Sequence, residues 1–190
     1  EQGKVVTLDK DNTIADGTAV KTPGSIIFPY IQQNIDEIIT VGDEELVTAF
    51  LDMVENHKMV VENSGLLTVA ALKHLNVKNK KVVSILSGGN MDVITMSSVV
   101  QHGLIFRDRI FTVSVLLPDK PGELSRVAAV IAEENGNVIK LEHNQFVSIN
   151  RSAAVELRIT LEAFGTDHKN QILAALEKEG YQPKLVRTNI

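Results

Sequence analysis

The sequence has 190 residues, 44% of them hydrophobic and 23% charged, which suits one large globular domain or two small ones. A net charge of −5 gives no support to the phosphate attraction behind nucleic-acid or anionic-membrane binding, and the lack of cysteine excludes disulfides, thiolate metal sites and a thiol nucleophile. No run of 18 apolar residues offers a membrane span, and Glu1-Gln2-Gly3-Lys4 lacks the basic-then-apolar order of a secretory signal, so a cytoplasmic location is expected.

The first half reads as alternating strands and helices. Residues 4–8 form an expected short strand, followed by a polar turn over Asp9 to Asn12. After Pro23-Gly24, Ile26, Ile27, Tyr30, Ile31 and Ile35 recur at helical spacing, and Ile38-Ile39-Thr40-Val41 reads as a buried strand. Asp43-Glu44-Glu45 opens a helix with acids in its first turn and an apolar stripe of Leu46, Phe50, Met53 and Val54. An Ala- and Leu-rich helix is expected over Leu66 to His74, then an apolar strand over Lys81 to Leu86 that delivers into Ser87-Gly88-Gly89-Asn90. Open α/β sheets place ligands at such strand ends.

The second half alternates differently. Arg109 to Leu117 reads as a strand, and Leu124, Val127, Ala128 and Ile131 as the stripe of a helix stopped by Asn135-Gly136. Asn137 to Gln145 and Ala153 to Glu162 read as a hairpin, Asp167 to Glu179 as a helix, and Tyr181 to Val186 as a strand that Pro183 confines to an edge. The order is βαββαβ, a four-stranded antiparallel sheet with two helices on one face. Residues 1–105 hold 13 acids, 8 Lys and no Arg, whereas residues 106–190 balance 11 acids against 11 basic residues. That step in composition sets the expected domain boundary at 105/106.

Two turns carry candidate chemistry. In Asp119-Lys120-Pro121-Gly122-Glu123-Leu124, Pro121 suits a first helical position, and unpaired amides of the first helical turn attract a carboxylate. Asp119 can then take an ammonium group and Asn137 can add a side-chain amide, as for an amino-acid ligand; equally, Asp and Pro can start a helix with no ligand. Ser87-Gly88-Gly89-Asn90 is ambiguous in the same way, since a Gly-Gly turn without a following Lys is not a phosphate loop. Glu62 is either solvent-facing or held by a partner. The five His have no metal-ligand spacing, so no metal site is expected.

Three stretches together resemble consecutive signatures of pyridoxal-phosphate-dependent threonine ammonia-lyases, which have a tryptophan-synthase-β-like fold. They are Thr13-Ile14-Ala15-Asp16-Gly17-Thr18-Ala19-Val20-Lys21-Thr22-Pro23-Gly24, Val60-Val61-Glu62-Asn63-Ser64-Gly65 and Leu86-Ser87-Gly88-Gly89-Asn90-Met91-Asp92. The middle stretch departs from the family wording at Asn63 and Leu66. Leu117 to Leu124 and Asn135-Gly136-Asn137-Val138 resemble an ACT domain, an α+β ferredoxin-like module that senses amino acids. The resemblance implies an α/β catalytic-domain tail over 1–105 and an ACT regulatory domain over 106–190. It implies that Ser87 meets the cofactor's pyridine nitrogen, that Gly17 contacts the cofactor through its backbone, and that Asp119, Lys120, Pro121, Gly122, Leu124 and Asn137 line an effector cleft at a dimer interface. The family's aldimine lysine motif and Gly-rich phosphate loop do not occur, so the chain reads as a regulatory part of the enzyme. No cofactor is expected to bind it and no activity is expected of it. The expected partners are an amino acid such as isoleucine or valine and a second copy of the chain; the alternative is a self-associating module with no ligand.

Overall fold

The computed structural model describes residues 3–144 and 155–189, which divide into two compact units, Glu1–Gly103 and Leu104–Ile190.

The first unit is helical among its described residues: α1 (Phe28–Asn34), α2 (Asp43–Asp52), α3 (Leu67–Ala70) and the start of α4 (Val93–Phe106). Its core joins Leu46, Phe50 and Met53 to Val61, Leu66, Ala70 and Val99. The α2 stripe lies where its spacing predicts, and Glu45 accepts the Gly42 N–H at 2.9 Å and pairs with His74 at 2.8 Å. The expected helix over 66–74 is one α-turn between 3-10 turns, Asn63–Leu66 and Ala71–His74.

The strands expected at 4–8, 38–41 and 81–86 do not form: Leu8 N–H bonds Lys21 O and Ile85 O accepts the Thr68 hydroxyl at 2.9 Å, but no ladder joins these segments. The physical reason is their composition. A run that is apolar on both faces is stable as a strand only with strands on its flanks and helices above and below. Without them the side chains stand in solvent, as Val83 (89% exposed) and Ile38 (76%) do.

The second unit is the βαββαβ fold. Its sheet contains β1 (Ile110–Leu117), β2 (Asn137–Asn144), β3 (Val155–Glu162) and β4 (Lys184–Val186) in the order β2-β3-β1-β4, every pair antiparallel. Helices α5 (Glu123–Glu133) and α6 (Thr166–Lys178) cover one face. The core is Phe111, Val113, Val115 and Leu117 with Leu157, Ile159 and Leu161, closed by Val127, Ile131, Ile172 and Leu176. At ~25 cal/mol per Å², each such aliphatic side chain contributes about 1.5–3 kcal/mol when withdrawn from water. Asn135 turns the chain left-handed at φ 62, and Gly136 passes so close to α5 and α6 that an added Cβ would lie 2.8 Å from Ile131 Cγ2 and 3.0 Å from Ile172 Cδ1. The expectations for Gln145 and Ala153 lie outside the described residues.

Candidate functional site

The first candidate site joins the three signature stretches of the first unit. Asn63 Nδ2 donates to Ile14 O at 3.1 Å, and an added Cβ on Gly17 would lie 2.9 Å from Ser64 Oγ. Gly65 packs on the Ser87 carbonyl so closely that a Cβ there would sit 1.8 Å from its oxygen. Glu62 lies against Gly88 and accepts the Asn90 N–H at 3.1 Å. Of the two placements its sequence position allows, Glu62 therefore takes the one held by a partner, within this cluster. Asp92 caps α4, accepting from Ile94 N–H at 2.9 Å, Thr95 N–H at 3.0 Å and the Thr95 hydroxyl. The Thr95 hydroxyl, then its N–H, holds the Asp92 carboxyl below the usual carboxylate range.

Two polar atoms here are buried without a partner among the described residues, Asn63 Oδ1 and Ser64 Oγ. Buried polar atoms in a folded chain normally find a partner, so the pair marks a place where a polar group from outside can bind. With the exposed Ser87 hydroxyl and the close backbone at Gly17, this donor and acceptor set fits one edge of a polar aromatic ring such as pyridoxal phosphate. No lysine is among the residues the cluster unites, so the fit stops at that edge. Pyridoxal phosphate, when bound, supplies an electron sink for bonds at an amino acid's α-carbon. Of this chain's residues, Ser87, Ser64 and Asn63 would hold that edge, with the backbone at Gly17 beside them.

The second candidate site is the turn between β1 and α5. Asp119, Lys120, Pro121, Gly122 and Leu124 are all exposed there. The helix begins at Glu123, two residues after Pro121, so Pro121 is not its first residue. Gly122 is the N-cap, with φ +91, no side-chain cap and open space within 4 Å of its Cβ position. Glu123 N–H reaches Lys120 O at 3.4 Å, and Arg126 N–H bonds Gly122 O at 3.1 Å. The Leu124 and Ser125 amides lie too early in the helix for a carbonyl four residues back. Leu124 is 41% exposed and stands outside the stripe of buried Val127 and Ile131 and partly buried Val130.

Asn137 does not join this turn within one chain. The register sets Asn137 opposite Glu162, and Glu162 opposite Ile110, so Asn137 stands at the Ile110 end of the sheet. The Asp119 turn follows Leu117 at the other end, roughly 23 Å away by strand rise. Parallel placement of β1 and β2 across β3 forces this separation, because the α5 crossover returns the chain to the starting end. Asn137 Nδ2 donates to Glu162 Oε2 at 3.1 Å.

Among the described residues no cluster of three or more His, Asp or Glu can hold a metal, and no helix is long and apolar enough to cross a membrane.

Comparison with known proteins places these geometries. Residues 1–88 match the family model "Pyridoxal-phosphate dependent enzyme" and residues 111–180 match "ACT domain". The chain is 37% identical over 183 residues to an L-threonine ammonia-lyase of Geobacter sulfurreducens, covering 95% of this chain and 46% of that protein. It is 32% identical over 186 residues to the L-threonine ammonia-lyase of Thermotoga maritima, covering 97% and 46%. Among solved structures, the processed threonine deaminase isoform 2 of Solanum lycopersicum overlays with TM-score 0.47 and 30% identity, covering 50% of this chain and 29% of that one. The chain thus spans about half the length of the curated relatives it matches. Two family memberships follow in chain order: residues 1–88 belong to the pyridoxal-phosphate-dependent enzymes and residues 111–180 to the ACT domains.

Proposed function

We propose that this chain is the regulatory part of a threonine ammonia-lyase, its ACT unit binding a branched-chain amino acid such as isoleucine or valine. In the whole enzyme the reaction would be loss of water from threonine and hydrolysis to 2-oxobutanoate and ammonia. The observation that carries the reading is the uncapped turn at Gly122: a left-handed N-cap without a side chain leaves the α5 amides open beside the exposed Asp119 carboxylate. The amides and helix dipole suit the ligand's carboxylate, and Asp119 suits its ammonium group. Asn137 can serve such a cleft only from a second copy, which makes the ligand-binding species a dimer.

The exposed edge of β2, with Val138, Ile139 and Leu141 each 38–45% exposed, favours pairing with a second sheet and leaves a ligand-free assembly module as the second reading. Calorimetry with isoleucine, valine, threonine and serine separates the two. Saturable heat with a branched-chain ligand supports the effector reading. A dimer that binds none of the four supports the assembly module.

A further inference from the structure

The face of the ACT sheet that α5 and α6 leave uncovered is polar, and its register sets out a row across all four strands. Lys140 on β2 pairs with Thr160 on β3, Thr160 with Thr112 on β1, and Thr112 with Val186 on β4. Arg158 stands in the next row, opposite Glu142 and Ser114. All of these except Ser114, with Arg187 and Asn189 after β4, line a cavity of about 50 Å³. That is several times the space one water needs and gives room for a compact ion.

The lining is unbalanced in charge and in hydrogen bonds. Three cations, Lys140, Arg158 and Arg187, face one carboxylate, Glu142, in a chain whose net charge is −5. Glu156 takes the Arg158 Nε–H at 3.0 Å and the Ser114 hydroxyl at 2.7 Å. The guanidinium thereby spends one of its five donors. Lys140 spends one of three on Glu142 at 2.8 Å. On the floor, the hydroxyls of Thr112 and Thr160, residues only 6% and 5% exposed, are 2.9 Å apart. A bond between two hydroxyls uses one of their two hydrogens. The second hydrogen is left over from that bond as a donor.

We propose that this open face is a binding site for a small oxyanion, a phosphate or carboxylate group held by Arg158, Lys140, Arg187 and the hydroxyl pair of Thr112 and Thr160. The site uses none of the Asp119 turn and lies on the opposite side of the sheet from α5, so it stands apart from the effector reading. Because its ligands come from β1, β2, β3 and the residue that follows β4, an anion there ties both edges of the sheet to the centre.

The test is an NMR titration of the full chain with sodium phosphate, sodium acetate and, at matched ionic strength, sodium chloride. The site predicts saturable shifts at Thr112, Thr160 and Arg187 with phosphate or acetate that chloride does not reproduce. Preference for phosphate or for acetate identifies which group the site takes. The double variant Thr112→Val/Thr160→Val keeps both side-chain shapes and removes both hydroxyls, a paired exchange that leaves the fold intact. It should weaken binding at least fivefold. Arg187→Gln, outside the strand ladder, should weaken it similarly. Shifts that follow ionic strength alone, or wild-type affinity in either variant, overturn the proposal.

Discussion

Replacing Gly88 by Ala perturbs the first candidate site twice through one methyl group. The backbone at Gly88 has φ +76, where a side chain costs about 1 kcal/mol. The new Cβ would also fall 2.3 Å from Glu62 Cδ and Oε1, so the carboxylate must swing away from the Asn90 N–H it accepts at 3.1 Å. A bond to a charged acceptor is worth about 1.5–3 kcal/mol when shielded, and exposure reduces this one to roughly 1 kcal/mol. The sum is a loss of about 2 kcal/mol. Gly89, its neighbour, supplies the control: its nearest atom is Val60 O at 3.8 Å and its φ lies outside the left-handed range, so Gly89→Ala should stay within about 0.5 kcal/mol of wild type. In a Glu62→Ala background Gly88→Ala should cost only its backbone part, a coupling of about 1 kcal/mol. Urea titrations read from NMR amide signals of residues 60–92 measure all four variants. Equal costs for the Gly88 and Gly89 variants, or no coupling to Glu62, would refute the arrangement.

Burial pushes the Asp108 carboxyl upward, but the Lys169 ammonium at 2.8 Å and the Thr166 hydroxyl at 2.8 Å outweigh it and hold the group below its ordinary value. The unfolded chain therefore takes up this proton at higher pH than the folded one. The stability so gained is full above the unfolded value near ~4 and is lost as pH falls through the lower folded value, so the urea midpoint of the ACT unit should drop with acid less steeply in Asp108→Asn. Gly136→Ala should destabilise the same unit by about 1–3 kcal/mol in thermal unfolding, since its Cβ has only Ile131 and Ile172 to displace; a shift under about 0.5 kcal/mol contradicts the packing. Incubation with pyridoxal phosphate and threonine should yield no turnover and no borohydride-stable label, because none of the 13 lysines falls in the family's aldimine motif; one labelled lysine would reverse that expectation.

The ACT unit was legible because each of its elements carries its own pattern. Val155, Leu157, Ile159 and Leu161 alternate inward along β3, and Ile172 and Leu176 face the sheet from α6. Helical spacing alone places Leu124 and Ala128 in the buried stripe of α5, but the residues this helix buries are Val127 and Ile131, and Leu124 and Ala128 are exposed. The first unit was less legible, because a doubly apolar run such as Val82-Val83 specifies a strand only in company. Helix α4 has no clear helical period in the sequence, because Val93 and Ile94 are apolar yet exposed. Its one local signal was Asp92 three residues before Thr95, an N-cap. Sequence order also suggested that Asn137 and the Asp119 turn share a site. Only the strand register shows that they stand at opposite ends of the sheet.

That separation permits a direct measurement of the central claim, an amino-acid cleft shared between two copies. Asp119→Ala leaves the ligand's ammonium group unpaired and should weaken isoleucine or valine binding by about 2 kcal/mol, roughly 30-fold, and Asn137→Ala should also weaken it. Mixing the two variants and allowing subunits to exchange forms dimers in which one cleft is doubly mutated and the other is wild type. Calorimetry on the mixture should then recover tight binding with a stoichiometry near one ligand per mixed dimer. A mixture that binds no better than the separate variants would contradict a cleft built from Asp119 of one copy and Asn137 of the other.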